Sequence, residues 1–149
     1  MTDTRIVEAV ERLSVEAIGV TTLALMRVDP DLELTLRQWR ALVVLESTRS
    51  GLRVGEIAAR LGSSGPSTSR LVRRLEERGL VDARRDESDR RATLVRLTAA
   101  GERLRTALVE QRRDLIRGAL SARQFPTGEN LAESPDHIAD CLADLDGDR

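Results

Sequence analysis

The chain has 149 residues, of which 40% are hydrophobic and 33% are charged, and its formal net charge is -1. This length and composition predict one folded domain and exclude a collagen-like, low-complexity or disulfide-rich protein. The sequence contains neither a recognisable signal peptide nor an apolar run long enough to cross a membrane. Its single cysteine, Cys141, cannot form an intramolecular disulfide. We therefore expect a cytoplasmic protein without a membrane partner.

The charge is distributed unevenly along the chain. Residues 1–36 hold three Arg and seven acidic residues, residues 37–123 hold twenty Arg and eleven acidic residues, and residues 124–149 hold one Arg and seven acidic residues. The three blocks thus carry net charges of -4, +9 and -6. A basic middle between acidic ends predicts one surface that attracts a polyanion.

Two helices are predicted before this basic block. The first runs from about Thr4 to Arg27, and its heptad-like apolar stripe is expected to pack lengthwise against another helix. That stripe consists of Ile6, Val10, Leu13, Ala17, Val20 and Ala24. Asp29 and Pro30 end the helix, and a second helix is predicted from Thr35 to about Ser47. Its inward residues are Leu36, Trp39, Leu42, Val43 and Leu45, and residues 49–52 are expected to form a loop.

The next segment predicts two short helices around a tight turn. Val54–Leu61 has one apolar face and is followed by Gly62, which is typical of a helix end. Ser63 and Ser64 can cap the following helix, which extends to about Arg78. Its buried stripe is Thr68, Leu71, Val72 and Leu75, and its exposed face is Ser64, Gly65, Ser67, Ser69, Arg70, Arg73 and Arg74. Small hydroxyls at the helix start and arginines further along are typical of a helix that reads a DNA major groove.

A charged hairpin and a long helix follow. The strands are predicted at Leu80–Arg84 and Ala92–Leu97, on either side of the polar tip RDESDRR. Thr98 can cap a helix that reaches about Ala122, with its arginines facing outward: Arg103, Arg105, Arg112 and Arg113. A last helix is predicted over residues 135–145. Because a small lobe cannot cover amphipathic helices at both termini, we expect the chain to dimerise through them.

These motifs together resemble the MarR family of bacterial winged-helix regulators. The resemblance rests on LRQWRALVVL, GEIAARLG, SRLVRRLEERGLV and DESDRRATLVRLTAAG, in that order. It implies a mainly α fold with a small β wing, in which a winged helix-turn-helix (about 35–97) is joined to dimerisation helices (about 4–27, 98–122 and 135–145) within a single domain, 1–149. It also implies a homodimer that binds a pseudo-palindromic operator on double-stranded DNA, usually as a repressor. A small-molecule effector or an oxidant often releases such a regulator.

The resemblance also assigns site residues. The recognition helix corresponds to Ser64 through Arg78, with Ser64, Gly65, Ser67, Ser69 and Arg70 facing bases and phosphates. In the wing, Arg90 and Arg91 stand where relatives place an arginine that enters the minor groove, and Asp89 would hold it by a salt bridge. Gly65 and Pro66 replace the larger polar residues of many relatives, so sequence reading is expected to rest on Ser67, Ser69, Arg70 and DNA shape.

Each of these assignments has an alternative. Arg70, Arg73 and Arg74 could instead form a solvated face that pairs with Glu76 and Glu77, and the wing arginines could be neutralised by nearby acidic residues. We favour DNA contact because the arginines share the basic block. Arg84 and Arg85 are further candidates for DNA contact, while Arg53 and Arg60 either reach phosphates or decorate the surface.

Three other residues invite functional hypotheses. Trp39 could line an effector pocket, but a lone aromatic on an apolar stripe is more often part of the core. Cys141 could sense oxidants, although an acidic tail does not offer the electropositive setting that activates a thiol. His137 is too isolated for a metal site, so neither a metal nor a cofactor is predicted.

Two rival classes of protein remain. An enzyme is disfavoured because the sequence has no nucleophile elbow, phosphate-binding glycine loop or HExxH motif, so no catalytic residue is assigned. The other rival is a winged-helix module that binds a protein and not DNA. Such a module would lack salt-sensitive affinity for DNA.

Overall fold

The computed structural model describes residues 4–46, 48, 50–86, 89 and 91–122, and for residues 5, 6, 9 and 122 it describes the backbone alone. The elements in chain order are α1 (Thr4–Val28), a short 3-10 helix (Pro30–Leu32), α2 (Leu36–Glu46), β1 (Leu52–Arg53), α3 (Val54–Leu61), α4 (Gly65–Glu77), β2 (Val81–Arg85), β3 (Thr93–Leu97) and α5 (Ala99–Ala122). The fold is therefore mainly helical with a small sheet, as predicted. The predicted helix over residues 135–145, including His137 and Cys141, lies outside the described residues.

The chain divides into two compact units. One unit, Leu34–Ala107, contains α2, α3, α4, the three strands and the start of α5. The other includes α1, the 3-10 helix and the part of α5 that begins at Leu108. Among the described helices, none combines the length and apolar character needed to span a membrane.

Helix α1 has the predicted bounds, and its apolar residues are only partly buried in the single chain. Its C-terminal half is packed: Val20, Leu23, Ala24 and Leu25 are buried. Val10, predicted to belong to the stripe that packs against another helix, is exposed in the single chain. Helix α1 therefore has an exposed apolar face. That face comprises Val7, Val10, Val15, Ile18 and Met26.

Helix α2 starts with a reciprocal capping arrangement. The backbone N–H of Thr35 donates to Gln38 Oε1 at 2.9 Å, and the backbone N–H of Gln38 donates to Thr35 Oγ1 at 3.2 Å. This capping box satisfies two backbone donors at the helix start. Trp39 and Leu42 are buried, as predicted, whereas Val43 is exposed and the prediction for it is wrong. Val43 lies at the edge of the buried stripe of α2, where one residue step turns a side chain by about 100°.

The turn between α3 and α4 follows the sequence expectation closely. Gly62 ends α3 with a left-handed φ of 61°, a conformation that glycine adopts without steric cost. Ser64 caps α4, because its Oγ accepts from the backbone N–H of Ser67. Thr68 is fully buried and donates its hydroxyl to Ser64 O at 3.0 Å, while Ser63 Oγ lies 2.6 Å from Thr68 Oγ1. These hydroxyl contacts fix the angle at which the chain enters α4.

The sheet has three antiparallel strands in the order β1-β3-β2. Strands β2 and β3 confirm the predicted hairpin, shifted by one residue at each start. Strand β1 was missed, since residues 49–52 were expected to form a loop. Two residues carry too little periodicity to be recognised, and they become a strand because Leu52 and Arg53 pair with Val95 and Leu94 of β3.

Helix α5 begins at the predicted cap. Thr98 Oγ1 accepts from the backbone N–H of Gly101 at 3.1 Å and donates to Gly79 O at 2.6 Å, so the same hydroxyl ties α5 to the end of α4. The prediction that Arg105 faces outward is wrong. Its side chain is 20% exposed because its guanidinium pairs with Glu46 Oε1 at 2.8 Å. Arg112 is likewise half-buried rather than exposed.

Candidate nucleic-acid interface

The outer face of α4 presents the residues that the sequence assigned to DNA contact. Ser64, Gly65, Ser69, Arg70, Arg73 and Arg74 are exposed, and Ser67 is half-buried. The opposite face of α4 packs into the core through Thr68, Leu71, Val72 and Leu75, which explains why this set is left outside. The helix thus presents small polar groups at its N-terminal end and positive charge from its second turn onward.

The three arginines of α4 differ in their partners. Arg73 Nε lies 3.0 Å from Glu77 Oε1, one turn further along the helix, and both side chains are exposed. An exposed pair of this spacing contributes roughly 0.3–0.5 kcal/mol, so a phosphate could displace it. Within the described part of the chain, Arg70 and Arg74 form no ion pair. Glu76, the other acidic residue at the end of α4, accepts from the backbone N–H of Ala83 at 3.3 Å.

The outer face of the sheet is also charged. The register of β2 and β3 places Asp82 opposite Arg96 and Arg84 opposite Leu94, so these four side chains share one face. Arg84 Nε pairs with Asp82 Oδ2 at 2.7 Å, although the Arg84 side chain is 80% exposed. A shallow cleft of about 420 Å³ lies on this face, lined by Asp82, Arg84, Arg85, Asp86, Leu94 and Arg96.

The loop between β2 and β3, residues 86–92, is the wing tip. Its base is closed by a hydrogen bond from the backbone N–H of Asp86 to Ala92 O at 3.0 Å. Asp89 Oδ1 accepts from the backbone N–H of Arg91 at 3.0 Å, so this carboxylate holds the backbone of Arg91 and not its guanidinium. The side chain of Arg91 is exposed. Arg90 lies outside the described residues.

Arg53, for which the sequence left phosphate contact and a surface role equally open, forms contacts that the sequence did not predict. It is the last residue of β1 and also the N-cap of α3, where it donates its backbone N–H to Glu56 Oε2 at 2.7 Å. Its side chain reaches the base of the wing, with Nε and Nη2 each 2.8 Å from Asp86 Oδ2. This hydrogen bond and the accompanying charge attraction raise the pKa of Arg53 above its usual value. The guanidinium therefore stays charged at every physiological pH.

The sequence offered two roles for Trp39, as a residue of the core or as part of an effector pocket. Trp39 is 4% exposed and lies in the hydrophobic core, where the sequence favoured it. A second cleft, of about 380 Å³, lies between the end of α2, β3 and the start of α5. Its lining is mostly polar and does not include Trp39: Leu45, Glu46, Thr48, Arg96, Leu97, Glu102, Arg105 and Thr106. In the ranges that the structure describes, no cluster of His, Cys, Asp or Glu has a geometry suited to a metal ion.

Most of the predicted DNA-contacting residues are thus found within the compact unit Leu34–Ala107. Helix α4 contributes its exposed face, β2 contributes Arg84, and the wing loop contributes Asp89 and Arg91. The pairing of Arg53 with Asp86 was missed because the two residues are 33 positions apart. One local signal existed: Arg53 stands at an N-cap, where Ser, Thr, Asp or Asn is preferred because the side chain must accept a hydrogen bond.

Comparison with known proteins agrees with this architecture. Residues 32–92 match the sequence profile of the MarR family. The chain is 32% identical over 80 residues to the uncharacterized HTH-type transcriptional regulator YfiV of Bacillus subtilis, an alignment covering 54% of this chain and 49% of YfiV. It is 37% identical over 73 residues to the transcriptional repressor MprA of Escherichia coli K12, covering 48% of this chain and 42% of MprA. These alignments span about half the length of either relative.

The fold is similar over a larger part of the chain. The transcriptional regulator Tm0710 of Thermotoga maritima superposes with a TM-score of 0.62 and 27% identity, covering 94% of this chain and 93% of Tm0710. The small three-stranded sheet beside a helix-turn-helix is the shared winged-helix element. In sequence over residues 32–92 and in its fold, the chain is similar to the MarR family of winged-helix transcriptional regulators.

Proposed function

We propose that this protein is a transcriptional regulator that binds double-stranded DNA as a homodimer and acts as a repressor. The observation that carries the proposal is the outer face of α4: hydroxyl groups at the N-terminal end and two arginines, Arg70 and Arg74, that form no ion pair with the described residues. The N-terminal residues of such a helix read base edges in the major groove, and arginines further along bind phosphates. The similarity to the transcriptional regulator YfiV supports regulation, and the similarity to the transcriptional repressor MprA supports repression.

The wing supplies the second part of the proposed contact. Arg91 has an exposed side chain next to a backbone that Asp89 holds in a turn. A guanidinium carried on a protruding loop suits a narrow minor groove, where the negative potential of the DNA is strongest. We assign Arg84, Arg90 and Arg91 to this wing contact, with Asp89 as its backbone support.

The exposed apolar face of α1 supports the homodimer. Five large apolar side chains lie exposed on one helix of the single chain, and we take this helix surface to be an interface that a partner covers. A second copy would cover it with the same face, as a two-fold symmetric dimer requires. Two winged lobes would then meet two half-sites about one helical turn apart. The cytoplasmic location expected from the sequence goes with this proposal.

Release by a small-molecule effector remains a prediction from the family resemblance. Since Trp39 lies in the core and lines neither of the clefts described above, we assign no effector site to it. Redox sensing through Cys141 is retained as the alternative mode of control that the sequence left open.

The proposed function predicts a steep dependence of DNA affinity on salt. A duplex enriched from a random-sequence pool by the wild-type protein would be titrated at several salt concentrations. If the dimer neutralises 6–10 phosphates, the binding constant should fall by roughly 10³- to 10⁵-fold between 50 and 200 mM salt. A protein-binding module without DNA affinity would enrich no duplex, and a slope near zero would contradict arginine-to-phosphate contact.

The wing contact predicts a specific loss in one variant. Arg91→Ala should weaken binding to the enriched duplex by about 1–3 kcal/mol, because it removes one guanidinium from the minor groove. Oligomeric state and thermal unfolding should not change, since the side chain is exposed. Arg103→Ala, an exposed arginine on α5, serves as the matched control for the loss of one positive charge. Equal affinities of the Arg91 variant and the wild type would refute the wing assignment.

A further inference from the structure

We infer that the ion pair between Arg53 and Asp86 positions the wing relative to the recognition helix, so that the two elements engage DNA together. The inference rests on the proposed function and extends it, because neither residue is assigned to contact DNA. Three observations support it. The two residues belong to different elements, Arg53 forms no side-chain cap at the start of α3, and Asp86 lies at the base of the wing.

Arg53 and Asp86 lie in different parts of the winged helix-turn-helix. Arg53 ends β1 and begins α3, and α3 packs against the recognition helix α4. Asp86 follows the last residue of β2, and its backbone N–H closes the wing loop onto Ala92. A link between these side chains therefore joins the helix pair to the wing loop. The backbone pairing of β1 with β3 spans two residues, so a side-chain link adds a constraint where the ladder is short.

Arginine is a poor choice for the backbone position that Arg53 occupies. An N-cap side chain stabilises a helix by accepting a hydrogen bond from the first turn, and a guanidinium has no acceptor. The adjacent Glu56 supplies half of a capping box by accepting from the Arg53 backbone, but the reciprocal half requires a side chain such as Thr or Ser. The Arg53 side chain therefore does not stabilise the N-terminus of α3. It bonds instead to Asp86 at the base of the wing.

The environment of the pair suits a positioning contact. The Arg53 side chain is 44% exposed and that of Asp86 is 13% exposed, so the carboxylate is largely enclosed while the guanidinium can be solvated. Two of the three guanidinium nitrogens, Nε and Nη2, contact the same carboxylate oxygen, Oδ2. A charge-assisted hydrogen bond of 2.8 Å is directional, so it restricts the angle of the loop as well as its distance from α3.

The direction in which Asp86→Ala changes DNA affinity distinguishes a positioning role from simple electrostatics. Asp86→Ala removes a negative charge beside a surface that faces a polyanion, and long-range electrostatics alone would tighten binding. If Asp86 positions the wing, binding should weaken instead, by about threefold or more and by no more than the loss measured for Arg91→Ala. Asp82→Ala is the matched control, because Asp82 lies on β2, the strand that Asp86 follows, and pairs with Arg84 of the same strand.

A second variant tests the other partner without weakening the helix. Arg53→Thr places an accepting hydroxyl at the N-cap of α3, so thermal stability should be equal to or higher than that of the wild type. Its DNA affinity should nevertheless fall by about threefold or more. A residue with a merely structural role would lose stability and affinity together. The charge-swapped double variant Arg53→Asp with Asp86→Arg should restore affinity, because it rebuilds the ion pair and also provides an Asp cap.

The test measures binding of the full-length dimer to the enriched duplex, together with thermal unfolding of every variant. Weaker binding by both Asp86→Ala and Arg53→Thr, with Asp82→Ala at or above wild-type affinity, supports the inference. Wild-type or tighter binding by Asp86→Ala overturns it while leaving the proposed function intact. A wild-type protein that binds no duplex overturns the proposed function, and this inference with it.

Discussion

Replacing Val15 and Ile18 together with glutamate is expected to convert the protein from a dimer to a monomer. These side chains are 61% and 53% exposed in the single chain, so the substitutions should cost the fold of one protomer little. In a dimer built on this face, each would place a carboxylate in an apolar interface twice, once from each copy. Burying an unpaired charge costs several kcal/mol, and we expect this cost to exceed the free energy that holds the dimer together.

Sedimentation at several protein concentrations would measure the change, with circular dichroism to verify helix content. Ala59→Glu, at an exposed position of α3 in the other compact unit, is the control for adding a carboxylate to a helix surface and should leave the dimer intact. The double variant should also lose affinity for a two-half-site duplex, because one lobe at a time holds roughly half of the phosphate contacts. A fully dimeric Val15/Ile18 variant would show that α1 does not form the interface.

Substitution of Gly101 by alanine is expected to destabilise the compact unit Leu34–Ala107. A Cβ at this position of α5 would lie 2.1 Å from the carbonyl oxygen of Leu80 and 3.3 Å from Leu97 Cδ2. The first of these neighbours is backbone, held by a hydrogen bond from the N–H of Thr98, so it cannot rotate away. Overpacking typically costs about 1–3 kcal/mol, and this contact should reach or exceed the upper end of that range.

Gly118 provides the matched control on the same helix. Nothing lies within 4 Å of a Cβ built there. Alanine at Gly118 should therefore stabilise α5 by roughly 0.5–1 kcal/mol through its higher helix propensity. Chemical denaturation of both variants would compare the two free energies of unfolding, and a Gly101→Ala protein as stable as the wild type would contradict the close packing of α5 on Leu80.

Much of the fold could be predicted because its signals are local. The bounds of α3 and α4 follow from a left-handed Gly62 and a capping Ser64, both of which act within four residues of chain. The exposed face of α4 followed by subtraction from its apolar stripe, and every member of that stripe is buried. The cap of α5 at Thr98 was equally local.

Two errors have the same physical cause, which is dependence on distant partners. Strand β1 exists because β3 lies beside it, and its two residues carry no period of their own. Arg105 turns inward to meet Glu46, a residue 59 positions earlier that no helical pattern could associate with it.

The sequence by itself determined the order of the described helices and of the hairpin strands, the ends of α3 and α4, and the basic face of α4, because capping, periodicity and charge act between residues near in the chain. Its motifs also pointed to the MarR family, whose profile matches residues 32–92. Tertiary structure alone decided that the wing loop is tied to α3 through Arg53 and Asp86, and that Arg105 turns inward to Glu46. Such contacts depend on the directions of side chains brought together by folding, and those directions follow from packing rather than from any local pattern.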